Sequence, residues 1–283
     1  MTNPDVVSRA RSLLAVPGHR PDRFAKAVAS GADLVMLDLE DSVGPALKDQ
    51  ARDNVDEWLS GRDADTCVVR INDASTPWHR ADLAMLARHH TVVMVPKITQ
   101  ARDVVTVVRH LGAGARLIAI LETAAAILHA EEISGAPGVV RTIFGNADLG
   151  SELAVDPADG RPFGYARSAV VLAAAANHLP QPLDGATVAL EDTDAVAEDS
   201  RRAAALGFGG KACLHPRQVA VVNDIFTPSP EVLAWARDVL ASTEDGSVVR
   251  LNGEIVGKPI LDRARRILAM QPPAEAKALA PAP

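Results

Sequence analysis

Two acidic residues carry the first chemical signal in the 283-residue chain. Glu122 directly follows the apolar run 117–121, and Asp148 stands a few residues beyond the apolar run 139–144. Carboxylates at the ends of successive strands can hold one hard cation between them, because Mg²⁺ takes few protein carboxylates and keeps waters that a substrate can replace. The competing reading is that strand-end acids cap the helices that follow them. Arg70 closes the apolar run CVVR, where a guanidinium needs anions nearby. It forms either an ion pair with Glu40 or Asp41, or a donor to a carboxylate or developing enolate, and the two roles are compatible. Lys97, at another strand end, is positioned for a Schiff base in the manner of a class I aldolase. Arg20 and Lys26 lie after the first apolar run, where they either meet a phosphorylated ligand or are simply solvated.

The elements that must position these residues alternate regularly. Strand signals at 11–16, 33–39, 66–71, 92–95, 116–121, 139–144, 185–190 and 209–214 are each followed by a helical pattern. The long connection 145–164, rich in Gly, Asp and Pro, reads as a lid or binding loop. Eight βα units in order predict an α/β fold, a (β/α)₈ TIM barrel with its site at the carboxyl ends of the strands. The expected organisation is a catalytic barrel over 1–226, a C-terminal helical extension over 227–272 that contacts a neighbouring subunit, and a disordered tail over 273–283.

Composition narrows the function classes. A net charge of −7 argues against nucleic acid and membrane surfaces as partners. Two cysteines, Cys67 and Cys213, and no apolar run near the ~18 residues of a span predict a reduced, cytoplasmic protein with no disulfide framework. The chain contains no GxxxxGK[ST] loop, GxGxxG turn, GxSxG elbow, CxxC or HExxH, so the common nucleotide, serine hydrolase, thiol-redox and zinc signatures are absent.

The segments RSLLAVPGHRP, LVMLDLEDSV, VVRIND, VMVPKI, AILETAAAI, FGNADLG and GFGGKACLHPRQV run nearly the length of the chain. In that order they resemble the HpcH/HpaI aldolase and citrate lyase β-subunit family, which includes malyl-CoA lyases. The resemblance implies a (β/α)₈ barrel, a homotrimer, and cleavage or formation of carbon–carbon bonds in hydroxyacyl-CoA thioesters. By position it makes Glu122 and Asp148 Mg²⁺ ligands, and Arg70 the contact to the reacting thioester and 2-oxo acid. It sets Arg20 and Lys26 against the CoA phosphates, and it makes Glu40 and Asp41 the acids that orient Arg70 and waters on the metal. One departure stands out. Malyl-CoA lyase-like members carry an Asp in a C-terminal NGxxVD motif that reaches a neighbour's site, and here NGEIVGKP places Gly257 there. The alternatives to a lyase are therefore a hydroxyacyl-CoA thioesterase, a weakly catalytic acyl-thioester-binding subunit, and an aldolase for free oxo acids.

Overall fold

The computed structural model describes residues 4–61, 65–242, 249–251 and 254–270. The tail expected to be disordered, 273–283, lies outside the described residues. The chain divides into two compact units, Met1–Asp224 and Ile225–Pro283.

In the first unit, β1 (Ser12–Pro17), β2 (Leu34–Asp38), β3 (Cys67–Arg70), β4 (Val92–Val95), β5 (Arg116–Leu121), β6 (Val139–Phe144), β7 (Leu183–Asp184) and β8 (Gly210–Cys213) form a closed parallel barrel in sequence order. The ring closes where Leu13 and Leu14 of β1 pair with Ala212 and Cys213 of β8. The expected (β/α)₈ architecture is thus observed. The strands are continuous aliphatic runs because both faces are buried. Leu13, Met36, Val68, Met94, Ile118, Ile120 and Ile143 belong to one buried cluster.

The helices of this unit are α1 (Pro4–Arg9), α2 (Phe24–Val28), α3 (Lys48–Leu59), α4 (His79–Leu86), α5 (Ala101–Leu111), α6 (Ala124–Leu128), α7 (Ala130–Ser134), α8 (Asn146–Leu153), α9 (Gly164–Ala176) and α10 (Thr193–Leu206), and α11 (Pro216–Phe226) runs across its end at Asp224. Helix α1 precedes the barrel and packs Val7 into the buried cluster. It is anchored by Arg141 of β6, a fully buried guanidinium that donates to Val7 O at 2.6 Å, Ala10 O at 2.8 Å and Gln181 O at 2.8 Å.

Two expectations are corrected. The seventh strand is not 185–190 but Leu183–Asp184, paired with Ile143 on one side and Gly210 on the other. Beyond Asp184 the chain leaves the sheet and is tied instead by Gln218, whose Nε2 donates to Thr187 O and Ala189 O at 3.1 Å each. The alternation Ala186, Val188, Leu190 imitates a strand, but Val188 and Leu190 are exposed. The connection 145–164, expected to be loop, is helical in part: α8 starts directly after β6, ends with Ala154 in the left-handed region (φ 55°), and a short 3₁₀ turn covers Arg161–Phe163. Phe163 is buried edge-on against Phe144, ring centroids 5.8 Å apart.

The second unit contains α12 (Pro230–Ala241), the antiparallel hairpin β9 (Val249–Leu251) and β10 (Glu254–Val256), and α13 (Lys258–Ala269). Ala236, Val239, Val256, Leu261 and Ala264 form its own buried cluster. Among the described residues, no helix is long and apolar enough to cross a membrane.

Candidate active site

The carboxyl ends of β2 to β6 carry the charged residues singled out above. Strand pairing sets Asp38 and Arg70 directly opposite one another on β2 and β3. Asp38 takes Arg70 in a bidentate fork, Nε at 2.7 Å and Nη2 at 2.8 Å. It also accepts from the backbone N–H of Glu40 at 2.9 Å and of Ser42 at 3.1 Å, and from the Ser42 hydroxyl. Glu40 Oε2 lies 3.0 Å from Arg70 Nη1, and Asp41 lies 3.6 Å from it. Arg70 is therefore held in the first place by Asp38, with Glu40 and Asp41 as additional partners. Burial works against the Arg70 charge, yet the three acids outweigh it and raise its pKa above the ordinary arginine value. Burial alone would likewise raise the Asp38 carboxyl, but Arg70, Ser42 and the Glu40 N–H bring it below the usual range.

Glu122 follows β5 and is 3% exposed. The cap of α6 is Thr123, whose hydroxyl accepts from Ala126 N at 3.0 Å, and the Ala124 N–H goes to Glu152 at 2.8 Å. Glu122 is thus not spent on capping. Asp148 lies in the first turn of α8, whose N-cap is Gly145 with no side-chain capping bond. Gly145 is needed for close approach: a Cβ there would stand 2.8 Å from Glu122 Oε2. The capping alternative fails for both acids.

Lys97 bridges the two acidic groups. Its N–H donates to Glu122 Oε1 at 2.8 Å, and its ammonium reaches Glu40 Oε1 at 2.8 Å and both Asp41 and Asp148 at 3.5 Å. A lysine so ion-paired has its pKa raised despite burial, which opposes the neutral amine that a Schiff base requires. Glu40 is pushed up to about 7 by burial, with Asp41 adding to it, against Arg70 and Lys97. Glu122 is pushed up by burial, by Asp148 and by Glu40.

A buried network missed by the sequence reading supports this mouth. Lys48 of α3 donates to Leu39 O and Glu40 O at 2.7 Å each and to Asn72 Oδ1 at 2.5 Å. Asn72 donates to Asp82 of α4, which Arg52 neutralises at 2.8 Å. On their own helices Lys48 and Asp82 look like surface charges.

With Asp82 answered by Arg52, five carboxyl groups (Asp38, Glu40, Asp41, Glu122, Asp148) face three basic groups (Arg70, Lys97, Lys48), a formal excess of two acids that burial offsets in the metal-free protein by favouring the protonated forms of Glu40 and Glu122. That excess and the all-oxygen donor set fit a hard divalent cation at Glu122 and Asp148. Among the described residues no three His, Cys, Asp or Glu side chains form a ligand cluster. A cation at this pair would complete its shell with water or substrate oxygens. Arg20 and Lys26 are not joined to the acids by any contact among the described residues: Arg20 pairs with Asp22 at 2.8 Å, and Lys26 is exposed on α2.

Comparison with known proteins identifies the family. Residues 11–216 match the model of the HpcH/HpaI aldolase/citrate lyase family. The chain is 38% identical to a citrate lyase subunit beta-like protein of Mycobacterium tuberculosis, covering 90% of this chain and 93% of that protein. It is 34% identical to an L-malyl-CoA/beta-methylmalyl-CoA lyase of Cereibacter sphaeroides, covering 88% of each. It superposes with a TM-score of 0.78 and 36% identity on CitE from M. tuberculosis in complex with magnesium, acetoacetate and coenzyme A, covering 93% of this chain and 98% of that one. A closed eight-stranded barrel with this arginine and acid pair at its mouth, matched over nine-tenths of the chain, belongs to the HpcH/HpaI aldolase/citrate lyase family.

Proposed function

We propose that this chain is a Mg²⁺-dependent carbon–carbon lyase that cleaves a short 3-hydroxyacyl-CoA, of the citryl, malyl or citramalyl type, into an acyl-CoA and a 2-oxo acid. The observation that carries the reading is the meeting, at one barrel mouth, of two acids not used as caps and an arginine already fixed by Asp38. The solved complex of CitE with magnesium, acetoacetate and coenzyme A supports the ligand classes.

Glu122 and Asp148 would hold the metal, which when bound polarises the oxygen that becomes the oxo-acid carbonyl. As the hydroxyl gives up its proton and its carbon–oxygen bond becomes a carbonyl, the carbon–carbon bond breaks and leaves the departing carbon as a thioester enolate, which takes up a proton to give the acyl-CoA. Arg70 has five N–H donors and gives two to Asp38, so it retains donors for that developing charge. Glu40 and Asp41 keep the guanidinium from turning away, and the network from Lys48 to Arg52 keeps Glu40 in place. Arg20 and Lys26, on the turn and helix after β1, are the proposed hold on the CoA phosphates. The assembly proposed is a homotrimer in the cytoplasm, with the second unit serving a neighbouring subunit.

Gly257 favours one second reading, a binding subunit with weak catalysis. It caps α13 in an extended conformation (φ −124°) open to any residue, so the backbone does not demand glycine there. Incubation with malyl-CoA and citramalyl-CoA, with Mg²⁺ or with EDTA, separates the readings. Oxo acid released only with Mg²⁺ is the expected result. Free thiol without oxo acid would make the protein a thioesterase, and CoA binding without either product would make it a binding subunit.

A further inference from the structure

Lys97 is more than a partner of Glu40. It adopts a left-handed backbone conformation (φ 51°), uncommon for a residue with a side chain. That conformation turns its N–H onto Glu122 while its ammonium lies among Glu40, Asp41 and Asp148. One residue thereby touches four of the five acids of the site. Among the described residues it is also the cation that ion-pairs with Asp148. Its contacts are graded. Glu40 is engaged at 2.8 Å, whereas Asp148 is held at 3.5 Å, and the side chain is 31% exposed. An ammonium on a flexible stem can yield the longer contact and keep the shorter one.

We propose that Lys97 is a tethered counter-cation of the acid cluster: it holds Asp148 beside Glu40 and Asp41 and gives up its share of Asp148 to the divalent cation, so that it sets how tightly the metal is bound. The inference rests on the reading that Glu122 and Asp148 are the metal ligands. Two opposite effects follow. The ammonium stabilises the metal-free cluster, where acids would otherwise repel one another, and it weakens metal binding by placing a positive charge close to a ligand. A lysine that merely built the site would do the reverse to the metal, since its loss would loosen the ligands.

The test is calorimetric titration of the full chain with Mn²⁺ alone, together with thermal unfolding in EDTA, for the wild type, Lys97→Met and Lys97→Arg. Methionine keeps the length and shares the backbone constraint but removes the charge. The expected result is a Kd for Mn²⁺ roughly tenfold lower in Lys97→Met. Its unfolding temperature in EDTA should be below the wild type, with the gap closing at saturating Mn²⁺, and Lys97→Arg should return both toward the wild type. An unchanged or weaker Mn²⁺ affinity in Lys97→Met, while Glu122→Gln abolishes binding, overturns this proposal and leaves the metal ligands standing. Mn²⁺ binding that is indifferent to Glu122→Gln and Asp148→Asn overturns the metal reading and this proposal with it.

Discussion

At Arg70 the cost of burying a guanidinium is met by Asp38 at the facing position of the neighbouring strand β2, itself 1% exposed. Charge alone does not reproduce that fork, because lysine cannot bind a carboxylate through two fixed N–H groups. Arg70→Lys is therefore expected to fold, with an unchanged circular dichroism spectrum, and to lose roughly a hundredfold or more in turnover, the scale of losing one charge-stabilising donor. Glu40 contributes to the pH dependence beside Glu122, whose pKa is raised in the same direction. Its folded pKa of about 7 lies above the ordinary 4.5, so the folded state keeps a proton that the unfolded state has released. Its stabilising contribution is full below pH 4.5 and is lost as pH rises to about 7, up to about 3 kcal/mol in the metal-free protein. Denaturant titrations in EDTA should show Glu40→Gln flattening that decline, and an equal decline in the variant would contradict the assignment. Glu122, Asp148 and Arg70 were legible in the sequence because acids and arginines at the ends of apolar runs are conspicuous. Asp38 does not stand out in the sequence as Arg70's partner, because its role depends on which residue of β2 faces Arg70, and register is a pairing property. Lys48 and Asp82 were invisible, since a charge on an amphipathic helix reads as solvated until the helix is packed.

The eight strands and their helices follow from the alternation of aliphatic runs and helical spacing, and seven strands stand close to where that alternation places them. The misplaced one, β7, is two residues long and follows Pro180 and Pro182, so the run after it carries the stronger strand pattern while the hydrogen bonds lie before it. Helix α8 was hidden by Gly145 and Gly150, residues that suggest a loop. Gly145 instead admits the Glu122 side chain, and the Cβ of any residue at 150 would press on Val155 O at 3.2 Å. Helix α1 was missed because nothing local shows that β6 carries a buried arginine to receive it. Arg141→Met would leave the carbonyls of Val7, Ala10 and Gln181 without their donor. At about 1–3 kcal/mol for each buried group left unsatisfied, a loss of at least about 3 kcal/mol in unfolding free energy is expected. A loss under 1 kcal/mol, within the scatter of surface substitutions, would show that α1 is not held this way.

On the scale of the whole molecule, the first unit exposes Leu128 of α6 at 72%, Tyr165 of α9 at 71% and Leu172 of α9 at 69%, on neighbouring helices. Tyr165 and Leu172, seven residues apart, share one face of α9, and large apolar side chains left in water on one face mark a surface that a partner covers. Light scattering is expected to give three times the chain mass, and Leu172→Glu to reduce it; a monomeric wild type would remove the neighbour from the account. The family and the barrel were readable from motifs spread along the chain, whereas the role of the C-terminal extension was not, because Gly257 stands where a side chain would have announced it. The most direct test of the metal-dependent lyase is a crystal grown with Mn²⁺, acetyl-CoA and a small 2-oxo acid, with the metal located by anomalous scattering. The expected result is one peak between Glu122 and Asp148, the oxo acid completing its shell and the thioester beside Arg70. A peak elsewhere, or an oxo acid bound without contact to the metal, would contradict it.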